Sequence, residues 1–174
     1  MNVVEPRHAI EPAHFRHVMG RFASGVTVIA ADAGGDIRGM TANAFMSGSL
    51  DPPLCVVSIA KRAHMHGHLT AAGRFSVNIL AAGQEDLASH FAGKPTPGLR
   101  ITFRDVGGVP TVPGASALIT AELAANHDCG DHTIFIGRIL TMVADERPPL
   151  LYHASHFAAL VPLREDAPAL PEFW

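Results

Sequence analysis

The residues of this sequence best suited to hold a bound ligand lie in one stretch, residues 39–53. The stretch reads GMTANAFMSGSLDPP, so small residues and neutral hydrogen-bonding residues stand where a strand usually carries bulky ones. Small residues let a ligand approach the backbone closely, and hydroxyl and amide groups donate and accept hydrogen bonds without charge. This composition suits a cofactor that carries phosphate and a polar ring edge. The competing interpretation is a strand that packs tightly against a neighbouring helix.

Two adjacent cations, Lys61 and Arg62, follow a predicted strand and precede a predicted helix. Cations beside the start of a helix can hold phosphate or pyrophosphate, and the helix adds its free N–H groups and its dipole. The alternative is a solvated basic turn. His64, His66 and His68 come next, but residues two apart do not share a helix face and no carboxylate completes a ligand set. We therefore expect no metal ion here.

A third candidate is the segment Cys-Gly-Asp-His-Thr at residues 129–133, which leads into an apolar strand. Asp131 can fix the tautomer and orientation of the His132 ring and leave one ring nitrogen for a substrate. Equally, Asp131 can cap the turn and satisfy His132 locally. A metal site that adds His127 and Cys129 is disfavoured, because alternate residues of an extended segment point to opposite faces.

Sequence motifs for other chemistries are missing from the chain. The sequence has no glycine-rich dinucleotide or P-loop motif, no nucleophile elbow and no paired-cysteine redox motif. The chain therefore has little catalytic chemistry of its own. This indicates that a bound cofactor carries the reactivity, while the side chains supply position and electrostatics.

The composition describes one domain with a sizeable core, since the chain has 174 residues and is 48% hydrophobic. With 17% charged residues and a net charge of −3, we expect no nucleic-acid partner. No apolar run approaches the roughly 20 residues of a membrane-spanning helix, and residues 1–12 lack the apolar core of a secretory signal. We expect no membrane partner and a cytoplasmic location. Cys55 and Cys129 lack partner motifs, which excludes a disulfide framework.

The elements that must position these residues are mainly strands. Apolar residues at 15, 18, 19 and 22 predict an amphipathic first helix that ends by Gly25. A Gly-Gly-Asp turn predicts a hairpin whose strands cover residues 26–31 and 37–45. Further strands are predicted at 54–60, 75–80, 101–106, 115–124 and 133–143, and short helices at 64–71 and 84–91. Because long helices do not alternate with the strands, an antiparallel, barrel-like sheet is favoured over a doubly wound α/β fold.

Taken in order, these segments resemble the small flavin reductase family, the reductase components of two-component flavin-dependent monooxygenases. The resemblance covers residues 15–160 and rests on Phe15-Arg16, GVTVI at 25–29, the stretch 39–53, FSVNIL at 75–80, FAG at 91–93, GDH at 130–132 with Ile136-Gly137, and PLLY at 149–152. Many members carry serine and threonine where this chain has Arg62-Ala63-His64-Met65. This form resembles the phenol hydroxylase reductase branch, whose members also lack those hydroxyls and use FAD.

The resemblance implies a mainly β fold with flanking helices, an antiparallel, Greek-key-like split β-barrel of the FMN-binding type. This domain would cover residues 12–162, between an N-terminal segment (1–11) and a C-terminal tail (163–174). The implied protein is a homodimer that reduces FAD, or FMN, with NADH and supplies free reduced flavin to a separate monooxygenase acting on an aromatic compound. The alternatives are a flavin-binding electron carrier without release and a flavin reductase that serves corrinoid cobalt reduction.

The resemblance also assigns roles to individual residues. Those lining the flavin ring and its ribityl chain would be Met40, Thr41, Ala42, Asn43, Ser47 and Ser49, with Asn78 and Phe91 completing the pocket. Those nearer the flavin phosphates would be Ser58, Ala60, Lys61 and Arg62. The nicotinamide side would be formed by Gly130, Asp131, His132 and Tyr152, with His132 as the catalytic candidate. Hydride transfer between two rings needs little acid or base from the protein, so their placement is the main task.

Overall fold

The computed structural model of this chain describes residues 10–161. It contains three helices: α1 (Pro12–Met19), α2 (His64–Ala72) and α3 (Glu85–Phe91). The strands of this part of the chain are β1 (Ser24–Gly25), β2 (Thr27–Asp32), β3 (Ile37–Ala42), β4 (Phe45–Ser49), β5 (Leu54–Ala60), β6 (Arg74–Ile79), β7 (Arg104–Asp105), β8 (Pro110–Thr111), β9 (Ala117–Cys129), β10 (His132–Ala144), β11 (Leu151–His153) and β12 (His156–Ala158). The prediction of a mainly β chain is confirmed.

Seven of these strands form one antiparallel sheet in the order β3-β2-β6-β9-β10-β5-β4. Strands β3 and β4 are consecutive in the chain and yet lie at opposite edges, so the sheet curls until only Asn43 and Ala44 separate its two edges. The Ser58 N–H donates to the Ala44 carbonyl at 3.0 Å and fixes this joint to β5. The stretch 39–53 therefore contributes to both edges of a split barrel.

Two hydrophobic clusters lie on opposite faces of the sheet, because alternate residues of a strand point to opposite sides. Phe75 and Val77 of β6 belong to the larger cluster, together with Leu69 of α2 and residues of β2, β5, β9 and β10. Val28 and Leu80 belong to the second cluster, which packs against α3. Helix α2 thus covers the first cluster and helix α3 the second.

Most of the predicted elements have the expected bounds. The strands predicted at 54–60, 75–80 and 133–143 and the helices predicted at 64–71 and 84–91 agree with β5, β6, β10, α2 and α3 to within one residue at each end. The strand predicted at 115–124 begins at Ala117 and continues as far as Cys129, because it pairs with β10 along its whole length.

Two of the predicted strands are shorter in the structure than expected. The second strand of the first hairpin ends at Ala42 rather than residue 45, because the chain crosses there to the other edge of the sheet. The strand predicted at 101–106 is reduced to the two residues of β7, since the chain reverses at Gly107 and Gly108, both with positive φ. The apolar Phe103 in this stretch packs against the second cluster without pairing as a strand.

Helix α1 ends at Met19, earlier than predicted, and Phe22 lies beyond it. None of its residues is buried by the described part of the chain, so its apolar stripe stays uncovered. The predicted tail (163–174) and most of the predicted N-terminal segment (1–11) lie outside the described residues. Within residues 10–161, every helix is too short or too polar to cross a membrane.

Candidate functional site

The end of β3, the end of α3 and the β11–β12 hairpin enclose a cavity of about 280 Å³, called cavity A. From the end of β3 and the residue after it, cavity A receives Thr41, Ala42 and Asn43, all predicted to contact the flavin ring, and from β11 it receives Tyr152. Its remaining lining residues are Val26, Ala88, Ser89, Ala92, Lys94, Ser155 and Phe157. Aromatic rings, neutral hydrogen-bonding groups and one cation therefore surround cavity A, and these suit a flat ring with a polar edge and an anionic arm.

Tyr152 and Phe157 form an aromatic wall of cavity A. They face each other across the paired strands β11 and β12, with ring centroids 5.7 Å apart and planes at 63°. The turn between the strands places Ala154 at φ 47° and Ser155 at φ 67°, a left-handed conformation that costs free energy for residues other than glycine. The Ala154 N–H donates to the Gly20 carbonyl at 2.9 Å, which fixes the turn to the end of α1.

The small residues of β3 also pack against α3. The Thr41 hydroxyl donates to the Ala88 carbonyl at 2.7 Å, so this partly buried hydroxyl has a partner in the protein. A Cβ on Gly39 would lie 2.5 Å from a ring carbon of Phe91, which leaves only glycine room at this position. Tight packing against a helix therefore explains residues 39 and 41, while Ala42 and Asn43 open onto cavity A.

A larger cavity of about 450 Å³, called cavity B, lies between β3, the start of α2 and the end of α3. Met40 and Phe91, both predicted to contact flavin, line it. Its other lining residues are Arg38, Gly39, Ala63, His64, Met65, His90 and Gly93. Cavity B thus joins two predicted flavin contacts to an arginine and two histidines from three different elements.

The end of α3 separates the two cavities. Ser89, Ala92 and Lys94 line cavity A, whereas His90, Phe91 and Gly93 line cavity B. The helix ends here because Gly93 adopts φ 85° and the Lys94 N–H donates to the Ser89 carbonyl at 3.0 Å. Residues 89–94 are therefore a wall shared by both cavities.

Asn78 of β6, which was predicted to complete the flavin pocket, has a fully buried side chain. Its amide donates to the Val28 carbonyl at 2.9 Å and to the Ser76 hydroxyl at 2.8 Å, and its side-chain oxygen accepts from the Val112 N–H at 2.8 Å. The amide is thus committed to internal partners and lines neither cavity A nor cavity B. The structure assigns Asn78 to tying β2, β6 and the segment after β8 together.

The residues predicted near the flavin phosphates lie beside the residues predicted on the nicotinamide side. Strands β5 and β10 pair so that Ala60 lies opposite His132, and the Lys61 N–H donates to the Asp131 carbonyl at 2.9 Å. The Lys61 ammonium lies 3.2 Å from a carboxylate oxygen of Asp128. Arg62 is exposed at the start of the turn into α2. Together these residues form one polar cluster at the end of the β9–β10 hairpin.

Within this cluster, His132 Nδ1 lies 2.8 Å from an Asp131 carboxylate oxygen, the pairing predicted to orient the imidazole. The hydrogen bond from His132, and then the charge of that ring, lower the pKa of Asp131 below its ordinary value. The carboxylate therefore stays ionised and holds the ring in place. The His132 side chain is 42% exposed, so a substrate can reach it.

The other predicted residues occupy separate positions. Ser47 and Ser49 lie on the edge strand β4, at either side of an irregularity in its pairing with β5, and Ser58 lies on β5 itself. Gly130 forms the turn of the β9–β10 hairpin with φ 61°. Within residues 10–161, Ser47, Ser49, Ser58 and the β9–β10 turn line neither cavity A nor cavity B.

The three histidines of α2 do not act together. His66 Nε2 lies 2.8 Å from the Thr133 hydroxyl, and His68 Nε2 lies 3.2 Å from the Ala31 carbonyl. His64 lines cavity B. Among the described residues, no three potential metal ligands come together.

Sequence reasoning missed several lining residues. Lys94 directly follows the Phe91-Ala92-Gly93 segment and His90 directly precedes it on α3, yet no motif marks either residue. Phe157 was missed because the Ala-Ser turn of its hairpin lacks the glycine or asparagine that usually marks such turns.

Comparison with known proteins identifies the family. Residues 19–160 match the family model described as the flavin reductase like domain. An NADH-dependent flavin reductase from a Rhodococcus species is 40% identical over 162 residues, which cover 91% of this chain and 92% of that protein. The solved structure of flavin reductase PheA2 in its native state has a TM-score of 0.85 and 38% identity, covering 88% of this chain and 100% of the other.

A second solved structure contains ligand fragments. It is the Streptomyces globisporus NADH:FAD oxidoreductase SgcE6 in complex with NAD and FAD fragments, with a TM-score of 0.80 and 35% identity over 90% of this chain and 99% of the other. These similarities extend over nearly the whole described chain and agree with its antiparallel, split sheet. The chain therefore belongs to the flavin reductase family and has the family's split-barrel fold.

Proposed function

We propose that this protein is an NADH-dependent flavin reductase that reduces FAD, or FMN, and releases the reduced flavin to a separate monooxygenase. The observation that carries this proposal is cavity A, where Thr41, Ala42 and Asn43 meet an aromatic wall at the joint between the two sheet edges. The relatives named as NADH-dependent flavin and FAD reductases support the same assignment. Relatives named as reductase components of hydroxylases support the partner.

The residues present fit a flavin and a nicotinamide. Cavity A offers Asn43 and Ser89 as neutral hydrogen-bonding groups, Tyr152 and Phe157 as apolar rings, and Lys94 as a cation. Because Gly39 has no side chain, the ring of Phe91 can pack against it at the border with cavity B. We propose that Met40, Thr41, Ala42, Asn43 and Phe91 contact the flavin, with Ser47 and Ser49 at the β4 edge. Asn78 supports this surface from behind.

When bound, NADH supplies the hydride and flavin accepts it, so the protein has to place the two rings and keep them in contact. Asn43 can hydrogen-bond a ring edge without a charge, and the aromatic wall excludes water from one side of cavity A. A shallow site with neutral contacts also favours the release of product flavin. On the nicotinamide side, we propose Gly130, Asp131, His132 and Tyr152, with Asp131 holding the ring of His132.

For the flavin phosphates we propose Lys61 and Arg62, with Ser58 and Ala60 beside them. The Lys61–Asp128 pair is exposed, with 42% and 83% of the two side chains accessible. Such a surface pair contributes about 0–1 kcal/mol, so Lys61 can leave Asp128 for a phosphate at little cost. Neutralising each cation and measuring the affinities for riboflavin, FMN and FAD tests this role. An unchanged ranking of the three flavins would remove both residues from the phosphate site.

We also propose that residues 12–162 form one reductase domain and that two copies of the chain associate as a homodimer. Large apolar side chains stay exposed on α1 and just after it, after β4 and on β10, among them Phe22 at 78%, Leu50 at 79% and Met142 at 64%. Large exposed apolar side chains that come together in one patch are typical of interfaces. Light scattering should give twice the chain mass, and Met142→Glu should shift the protein toward the monomer.

Cys55 and Cys129 are both free thiols, as is usual in a reducing compartment, and we propose the cytoplasm as the location.

The decisive experiment is anaerobic NADH oxidation with FAD, FMN and riboflavin supplied separately, followed by gel filtration to measure the flavin retained. We expect NADH oxidation only when flavin is present, and reduced flavin that separates from the protein. A flavin-loaded protein that does not oxidise NADH refutes the reductase function. Reduced flavin that stays bound supports an electron carrier instead. Asn43→Ala should weaken flavin binding about tenfold, a loss typical of one buried hydrogen bond, while Asn126→Ala on the exposed part of β9 is the control.

A further inference from the structure

The turn that carries Asp131 and His132 ends a long hairpin whose outer half is paired on one side only. Strand β9 pairs with β10 as far as Cys129, but its pairing with β6 stops at Glu122. On the other side of the hairpin, β10 pairs with β5 from His132 onward. Within residues 10–161, no further strand pairs with the outer part of β9. The position of the turn therefore depends on the contacts that β10 makes.

His66 of α2 contacts β10 directly after His132. Its Nε2 lies 2.8 Å from the hydroxyl oxygen of Thr133, and its ring meets that of Phe135 edge to face, with centroids 5.3 Å apart and planes at 70°. Thr133 and Phe135 are both buried and, because they are two residues apart on a strand, share the face that α2 covers. The imidazole thus holds the start of β10 by one hydrogen bond and one aromatic contact.

Helix α2 gives this ring a rigid base. Met65 and Leu69 of the helix are buried in the larger hydrophobic cluster. The His66 carbonyl accepts from the Thr70 hydroxyl at 3.1 Å. The contact with Thr133 therefore joins a helix packed on the core to the outer, one-sided part of the hairpin.

The polar character of this contact sets the relative position of the two elements. A hydrogen bond depends on distance and direction, whereas an apolar contact tolerates small shifts. Among the described residues, His66 is the hydrogen-bond partner of the Thr133 hydroxyl. A buried hydroxyl that loses its partner costs free energy. Movement of β10 along α2 is therefore opposed by the loss of this bond.

We propose, resting on the flavin reductase function above, that His66 is a positioning residue for hydride transfer from NADH to the flavin. Through Thr133 it fixes the start of β10, and with it the His132 side chain proposed to face the nicotinamide. Neighbouring residues of a strand point to opposite faces, so His66 acts on His132 through the backbone of β10 rather than by contact. A misplacement of about 1 Å can lower the rate of such a step about a hundredfold. Loss of the bond should therefore slow flavin reduction and leave flavin binding unchanged.

The test is an anaerobic stopped-flow measurement of flavin reduction, with the full chain, bound FAD and saturating NADH. His66→Phe keeps a ring against Phe135 and removes the nitrogen, and Thr133→Val keeps the shape of the side chain and removes the hydroxyl. Each should lower the reduction rate about tenfold, with the FAD dissociation constant within about twofold of the wild type. H66F/T133V should be no slower than the single variants, because the two groups act as one unit. His66→Gln and Thr133→Ser retain hydrogen-bonding groups and should restore most of the rate.

His68→Phe is the matched control. His68 lies on the same helix and is also half-buried, but its Nε2 lies 3.2 Å from the Ala31 carbonyl of β2. Its loss should lower the free energy of unfolding in urea without slowing flavin reduction. NADH with deuterium at the transferred position gives a second measurement. The isotope effect on steady-state turnover should rise in His66→Phe, because hydride transfer then limits the rate, and stay at the wild-type value in His68→Phe.

A reduction rate within about twofold of the wild type in either His66→Phe or Thr133→Val overturns the proposal. Equal slowing in His68→Phe also overturns it, because the effect then belongs to the stability of α2. If His66→Phe does not fold, Thr133→Val alone decides. If the wild type does not oxidise NADH with any flavin, the reductase function fails; if it does and the variants keep its rate, only the positioning role fails.

Discussion

Asn78→Ala should destabilise the protein and leave its flavin affinity nearly unchanged. The substitution removes the side-chain oxygen that accepts from the buried Val112 N–H at 2.8 Å, and the amide that donates to the Val28 carbonyl at 2.9 Å. The Ser76 hydroxyl is less affected because it also donates to the Pro110 carbonyl. A buried donor without a partner costs about 1–3 kcal/mol, and with the lost donated bond we expect a total of about 2–4 kcal/mol.

Urea unfolding followed by circular dichroism measures this loss directly. For a chain of this size each kcal/mol lowers Tm by about 2–4 °C, so a fall of about 4–16 °C should accompany it. Asn126→Ala, at an exposed position on β9, should stay within about 0.5 kcal/mol of the wild type. The reasoning is refuted if Asn78→Ala keeps its unfolding free energy within that margin while its FAD dissociation constant rises about tenfold, because Asn78 would then contact the flavin.

Three further substitutions or labelling experiments check other parts of the structure. Gly39→Ala should lower the free energy of unfolding, measured in urea, by about 1–3 kcal/mol because the new Cβ would overlap the ring of Phe91. Gly67→Ala in α2 has open space around it and should raise that free energy by up to about 1 kcal/mol. Equal effects of the two substitutions would contradict the close approach of Gly39 and Phe91. Burial raises the pKa of the Cys55 thiol to about 11, so near neutral pH a thiol reagent should label exposed Cys129 and reach Cys55 only after unfolding. Fast labelling of both thiols in the native protein would contradict the burial of Cys55. His132→Ala should lower kcat with NADH about tenfold and change the FAD dissociation constant less than about threefold, and equal losses in both would assign His132 to stability of the turn.

Sequence reasoning succeeded where a local pattern decides the structure. Strand β5 alternates buried and partly exposed residues along its whole length, and helix α2 ends at Gly73 in the left-handed conformation. Both features are set by a few neighbouring residues, so their bounds can be predicted to within one residue. The stretch 39–53 was likewise found from its composition alone, and part of it does line cavity A.

The rest depends on contacts between residues that are distant in sequence. Asn78 looks like a pocket residue because a polar side chain within an apolar strand needs partners, and only the fold reveals that Val28, Ser76 and Val112 supply them. Cavity B could not be predicted for the same reason, since β3, α2 and α3 each contribute one cationic or titratable residue to it. No local spacing connects these residues.

The wall formed by residues 89–94 has a thermodynamic consequence for ligands in the two cavities. Its residues border both cavities, and Phe91 packs against Gly39 with no spare room. A ligand that shifts this wall in one cavity therefore changes the shape offered to a ligand in the other. Linkage then requires a ligand in either cavity to alter the affinity for a ligand in the other by the same factor, whichever binds first.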